Sequence, residues 1–158
     1  MNFKGFFTYD KKDKEERPLL WIKFSHYTRN DRERAKNFLI YIFEQFERQS
    51  GKNGYIILSE WVDARPAIVD IDLALFVVNI LQSHFPLGLR QIIQLDMPEP
   101  ILAFAPEILP HLPEFGSLTH LLNKTLVWIP HKNLSQYIDP QNYPTEYKTW
   151  LASHPSVL

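Results

Sequence analysis

Three carboxylate pairs have a spacing that suits acid–base chemistry, which needs two carboxyl groups with separated pKa values. The pairs are Glu60 with Asp63, Asp70 with Asp72, and Asp96 with Glu99. Asp70 and Asp72 precede an apolar helical pattern and are more simply explained as helix N-caps. Asp96 ends a predicted strand, where we expect its carboxylate to accept backbone N–H bonds in the turn before Pro98. An enzyme centred on Asp96 would need a second titratable group within hydrogen-bond reach.

Other motifs of enzymes and metal sites are missing from the sequence. The six histidines share no spacing that would gather three or four imidazoles around zinc; they are His26, His84, His111, His120, His131 and His154. Without cysteine there is no disulfide and no thiolate metal site. The 5 glycines form no phosphate-binding loop and no nucleophile elbow. We therefore expect no catalytic residue, no metal and no cofactor.

Charge is balanced overall but unevenly distributed along the 158 residues. The net charge of -1 argues against a nucleic-acid partner. Up to Lys52 there are 12 basic and 8 acidic residues, whereas 5 basic and 10 acidic residues follow. We expect the cationic part to make transient contact with an anionic membrane surface. The mixed charges of residues 11–17 are typical of a solvated loop, with a membrane- or partner-facing segment as the alternative.

No targeting segment is visible in the sequence. The longest apolar stretch, residues 71–81, is interrupted by Asp72 and Asn79. It is shorter than the roughly 20 residues that cross a bilayer. We expect a cytoplasmic protein that contacts membranes peripherally.

The predicted elements alternate between strands and helices. Strands are predicted at residues 3–9, 19–24, 55–61, 91–97 and 124–129, the first two forming a hairpin across the charged run. Helices are predicted from an Asn30–Glu33 capping box to Ser50, from Asp70 or Asp72 to Phe85, at 101–109 and, briefly, at 133–138. The remaining residues to Leu158 show weak periodicity. This order predicts an α/β fold with a mixed, mostly parallel sheet, flanking helices in layers and an N-terminal β-hairpin.

Apolar side chains are in surplus between Glu99 and Leu122. They are explained either as ordinary core or as one wall of an apolar cavity, since pockets for apolar ligands are lined in this way. Several segments that surround this stretch resemble the CRAL-TRIO lipid-binding domain, over residues 5–147. These are the hairpin segments 9–12 and 17–22, the passage 85–93 into a central strand, the turn 96–98, the strand entry 123–127 and the closing 143–144.

The resemblance implies a three-layer CRAL-TRIO-like fold with a hydrophobic pocket between the sheet and a movable gate helix at 101–109. The pocket-lining residues would be Phe76, Ile80, Ile92, Ile101, Phe104, Ile108, Leu109, Leu126 and Trp128. In phosphatidylinositol-binding members a lysine of the strand-entry motif contacts the headgroup phosphate. Lys124 has that position and is the only Lys or Arg between Gln91 and His131. We expect a domain at 1–147 without the family's N-terminal helical module, followed by a tail at 148–158.

Two departures from the family pattern bear on function. Leu121 replaces the threonine that inositol-lipid binders place three residues before the lysine, and residues 145–149 lack both glycines of the closing motif. Three hypotheses follow. The first is a non-enzymatic domain that binds a hydrophobic or phospholipid ligand and transfers it between membranes. The second is a degenerate domain that binds a protein partner through an exposed patch at Tyr143, Tyr147 and Trp150. The third is an enzyme at Asp96. The sequence leaves the ligand, the protein partner and the oligomeric state open.

Overall fold

A computed structural model describes residues 6–64, 70–83, 88–97 and 126–154. Its single sheet has five strands in chain order: β1 (Phe7–Lys12), β2 (Pro18–Lys23), β3 (Tyr55–Glu60), β4 (Leu89–Leu95) and β5 (Leu126–Ile129). Strands β1 and β2 are antiparallel, and each later pair of neighbours is parallel. The predicted α/β fold, with a mostly parallel sheet and an N-terminal hairpin, is confirmed.

Two hydrophobic cores lie on opposite faces of this sheet, because side chains alternate along each strand. The first core joins the sheet to α1 (Arg32–Gln49) and α2 (Ile71–Ser83). The second core joins it to residues 134–147 and to α3 (Thr145–Ser153). All six residues of β3 are buried, as expected for a central strand covered on both faces. The result is a three-layer arrangement of helices, sheet and C-terminal segment.

Helix α1 follows its apolar periodicity. Its six buried residues recur at helical spacing and are Ala35, Phe38, Leu39, Ile42, Phe43 and Phe46. The predicted capping box at Asn30 and Glu33 is wrong. The helix has Asp31 at its N-cap without a side-chain cap bond, because residues Arg29–Asp31 form a 3-10 turn. The Asp31 carboxylate instead accepts a hydrogen bond from the Thr28 hydroxyl at 3.0 Å.

The hairpin loop is held by a buried charge, unlike the solvated loop that the sequence predicts. Asp13 is 2 % exposed. Its carboxylate accepts hydrogen bonds from the backbone N–H groups of Glu15 and Arg17, at 3.0 and 2.8 Å. The Arg17 Nε–H donates to the same carboxylate at 2.6 Å. The backbone N–H of Lys14 bonds to the carbonyl of Tyr137, so this loop packs against the C-terminal segment.

The C-terminal segment is more ordered than its sequence indicates. It forms 3-10 turns at His131–Gln136 and Pro140–Asn142 and then α3. The short helix predicted at 133–138 is therefore a 3-10 turn that begins two residues earlier. Helix α3, absent from the sequence prediction, runs across residue 147, where the predicted domain would end.

Candidate functional site

Polar side chains gather where the parallel strands end. Strands β2 to β5 run in the same direction, so their carboxyl ends form one edge of the sheet, which is where open α/β sheets bind ligands. Lys23 ends β2 and lies in register with Glu60 at the end of β3. Asp96 follows β4 directly, and His131 lies two residues after the end of β5. Residues far apart in the sequence therefore meet at this edge.

Asp96 and His131 form a pair at the ends of two neighbouring strands. The backbone N–H of His131 donates to Asp96 Oδ1 at 2.9 Å, and His131 Nδ1 lies 2.8 Å from Asp96 Oδ2. The backbone of Asp96 has a φ of 55°, a left-handed conformation that is uncommon for non-glycine residues. Asp96 accepts a backbone N–H bond from His131, beyond the end of β5. The bonds predicted in the turn before Pro98 involve residues outside those that the structure describes. A second titratable group thus lies within reach of Asp96.

Glu60 is a fully buried carboxylate on the face of the second core. Its Oε2 accepts a hydrogen bond from the Trp21 indole N–H at 3.4 Å and lies 3.8 Å from Lys23 Nζ. Burial raises the pKa of Glu60 to about 6, although Lys23 and the Trp21 hydrogen bond oppose the shift. Lys23 Nζ also lies 3.7 Å from the exposed carboxylate of Glu146 on α3. The carboxyl end of β3 is therefore tied electrostatically to α3.

Helix α3 covers this edge with aromatic rings. Tyr147 is 1 % exposed; its ring centroid lies 5.2 Å from that of Trp21 and 5.9 Å from that of Trp150. Trp150 also contacts His131, with ring centroids 6.1 Å apart. The exposed patch predicted at Tyr143, Tyr147 and Trp150 is wrong, because both tyrosines are buried and Trp150 packs against the second core.

Asp70 shows the structural role that the sequence predicts. Its Oδ1 accepts the backbone N–H of Leu73 at 3.2 Å, which makes Asp70 the N-cap of α2. Its Oδ2 accepts hydrogen bonds from the Tyr27 hydroxyl and Arg32 Nε, at 2.6 and 2.8 Å. Burial tends to raise the pKa of Asp70, but these hydrogen bonds outweigh it and hold the pKa below its usual value. The alternative, Asp72, is exposed and lies 3.3 Å from Arg32 Nη1.

The opposite face of the sheet is apolar beside α2. Ile80 is buried, and Phe76 and Ile92 are partly buried against the first core. Farther along the sheet, Trp128 on β5 is 54 % exposed. The register pairs Ile92 with Leu126 and Gln94 with Trp128, so these positions share one face at neighbouring strands.

A sequence model of one family covers nearly the whole chain. The match, described as CRAL/TRIO domain, spans residues 2–148. The chain belongs to the CRAL/TRIO domain family. CRAL/TRIO domains in general bind or carry lipophilic molecules rather than catalyse reactions. A search of curated proteins gave no match.

The CRAL/TRIO domain brings some of the predicted pocket residues together. Phe76, Ile80, Ile92 and Trp128 lie on the face of the first core, and Leu126 occupies the register position next to Ile92. The other candidates, namely Lys124, Ile101, Phe104, Ile108 and Leu109, lie outside the described residues. Among the residues described, no helix is both long and apolar enough to cross a membrane, and no three His, Asp or Glu side chains are placed to share a metal ion.

Sequence reasoning missed the partners at the carboxyl edge of the CRAL/TRIO sheet. Asp96 and the turn at His131 each lie at the carboxyl end of a predicted strand. Pairing these two strands as parallel neighbours in the sheet would have been enough to suggest the contact. Tyr147 and Trp150 gave only a weak signal, because a helix of nine residues offers few repeats of the apolar period.

Proposed function

We propose that this CRAL/TRIO domain binds a lipid in an apolar pocket on the α2 face of its sheet and transfers it between membranes. The observation that carries the proposal is the apolar character of this face, where Phe76 and Ile92 are partly buried and Trp128 on β5 is 54 % exposed. Covering such a surface with an acyl chain is favourable, at about 0.8 kcal/mol for each methylene buried. Family membership supplies the ligand class, a lipophilic molecule.

Within this proposal the cationic N-terminal part contacts the anionic membrane during exchange. Much of the positive charge of this part is paired within the domain, since Arg17 forms an ion pair with Asp13 and Arg32 forms one with Asp70. The hairpin with Trp21 and Ile22 and the turn at 95–98 further resemble the CRAL-TRIO domain of motile sperm domain-containing protein 2, and we propose a relationship to that domain within the family.

The ligand is tested by native mass spectrometry of the protein purified from cells. We expect a lipid adduct that is released on denaturation and rebinds after delipidation. A delipidated, folded protein that takes up no lipid from phosphatidylcholine or phosphatidylinositol vesicles would contradict the proposal. Uptake of either lipid class into a folded protein would support it and would show which headgroup is preferred.

Lys124 is proposed to contact a headgroup phosphate. Lys124→Glu should weaken binding of phosphatidylinositol at least severalfold and affect a neutral lipid less, because a cation would be replaced by a repelling carboxylate. Lys132→Glu is the matched control, since Lys132 is an exposed lysine in the turn after β5. Equal losses for charged and neutral lipids, measured by vesicle transfer, would remove Lys124 from the headgroup site.

The competing hypothesis is a protein-binding domain without a lipid. The surface predicted for it is not exposed. Its proposed patch at Tyr143, Tyr147 and Trp150 packs against the second core. The exposed aromatic ring of Trp128 instead lies on the opposite face. We therefore favour lipid binding as the function of this domain.

A further inference from the structure

Three buried polar atoms beneath α3 lack a hydrogen-bond partner in the part of the chain that the structure describes. They are Glu60 Oε1, the Tyr147 hydroxyl and Trp150 Nε1. Glu60 is 0 % exposed and Tyr147 is 1 % exposed. Leaving a buried polar group without a partner costs about 1–3 kcal/mol, so three such groups in one region need an explanation.

These three groups belong to one contiguous cluster. Trp21 donates to the other oxygen of Glu60 and packs its ring against Tyr147 at 5.2 Å. Tyr147 and Trp150 stack at an interplanar angle of 16°. The pKa of Tyr147 is raised first by burial and then by the negative charges of Asp96 and Glu60. The cluster lies on the face opposite the proposed lipid pocket.

The chemistry of the cluster restricts what can satisfy it. Trp150 Nε1 can only donate a hydrogen bond, the Tyr147 hydroxyl can donate or accept one, and ionised Glu60 only accepts. An anion would meet the carboxylates of Glu60 and Asp96. A metal ion needs electron-pair donors as ligands, and the indole N–H of Trp150 is not one. The described residues also hold no group of three His, Asp or Glu side chains that could bind a metal ion. A neutral hydroxyl group can both accept from the donors and donate to Glu60.

We propose that Glu60, Tyr147 and Trp150 bind one neutral hydroxyl group beneath α3, supplied by a water molecule or by a small polyol. Buried water usually makes about three hydrogen bonds to groups that are otherwise unsatisfied, which matches the three atoms found here. A polyol such as glycerol offers the same group. This site is independent of the proposed lipid pocket.

The first experiment compares Tyr147→Phe with Tyr143→Phe by urea unfolding. Both variants lose a tyrosine hydroxyl from the second core and keep the ring, but the Tyr143 hydroxyl is not among the unpartnered atoms. With the site occupied, Tyr147→Phe should lower the folded-to-unfolded ratio about fivefold more than Tyr143→Phe does. If the site is empty, Tyr147→Phe should leave the stability unchanged or raise it, because the hydroxyl group that it removes has no hydrogen-bond partner. That result would overturn the proposal.

The second experiment identifies the source of the hydroxyl group. If it is water, oxygen-17 relaxation dispersion should count one more long-lived water molecule in the wild type than in Tyr147→Phe, and glycerol or myo-inositol should shift the Tm of both equally. If it is a polyol, glycerol or myo-inositol should raise the Tm of the wild type more than that of Tyr147→Phe. Trp150→Phe provides a second variant. Like Tyr147→Phe, it should lose the long-lived water molecule or the additional rise in Tm with polyol. Finding neither difference would overturn the proposal even if Tyr147→Phe is destabilised.

Discussion

At the scale of single residues, burial and contact across the sheet decide what each carboxylate does. Asp70 could be assigned from sequence because its capping bond reaches only three residues along the chain, to Leu73. The partner of Asp96 is harder to find, because His131 lies 35 residues away and can be inferred only by placing the ends of β4 and β5 side by side. Glu60 was singled out in the sequence only as a partner of Asp63, and its raised pKa comes from burial, which the sequence does not show.

Glu60 should make stability depend on pH. Its pKa rises from 4.5 when exposed to about 6 in the folded protein. The protonated carboxyl is favoured by folding, so this contribution is fully present below pH 4.5 and is lost as pH rises through about 6. Lowering the pH from about 7 to 4.5 should therefore stabilise the wild type relative to Glu60→Gln by roughly 2 kcal/mol.

This dependence is measured by urea unfolding of the wild type and Glu60→Gln at both pH values. Glu44→Gln, on the exposed side of α1, controls for the loss of one carboxylate charge. A difference in unfolding free energy between wild type and Glu60→Gln that is the same at both pH values would contradict the prediction.

At the scale of elements, length and period decided which predictions succeeded. Helix α1 has eighteen residues and six buried positions, so its period was evident in the sequence. Helix α3 has nine residues and owes its position to packing against Trp21, which no local pattern reveals. The hairpin strands were predicted, but β1 ends later than expected because its charged residues continue the pairing with β2 to Lys12. The predicted residues 3–5 lie outside the described residues.

The hairpin loop should depend on the buried carboxylate of Asp13. Asp13→Ala leaves the backbone N–H groups of Glu15 and Arg17 and the Nε–H of Arg17 without their acceptor. We expect a loss of about 2–3 kcal/mol in the free energy of unfolding. Asp10→Ala, an exposed carboxylate in β1, is the matched control. Equal unfolding midpoints for the two variants in urea would show that the Asp13 bonds contribute nothing.

At the scale of the whole molecule, the order of the strands places β1 at one end of the sheet and β5, with its exposed Trp128, at the other. Alternation of strands and helices was enough to predict the parallel order, because crossovers between parallel neighbours place helices on the sheet. The difference in exposure between Ile92 and Trp128 could not be predicted, since the sequence placed both among the pocket-lining candidates. Their difference in exposure comes from where β5 lies, at the end of the sheet opposite β1.

Trp128 should therefore contribute to lipid binding and a similar aromatic residue elsewhere should not. Trp128→Ala should lower the lipid-loaded fraction severalfold, because it removes apolar contact area from the proposed pocket. Tyr41→Ala is the matched control: Tyr41 is 53 % exposed, against 54 % for Trp128, but lies on α1. Native mass spectrometry after incubation with vesicles measures both. Similar loaded fractions for the two variants would place the lipid elsewhere.

The chain-order arrangement of the five strands has a consequence for synthesis on the ribosome. Each strand pairs with the one made just before it, so the sheet can grow as the chain emerges without waiting for a distant partner. Residues 134–147, which cover the second face, are made after all five strands. A nascent chain that has completed its sheet thus still displays Leu58 and Ile93 to solvent. This interval is when a holding chaperone would bind.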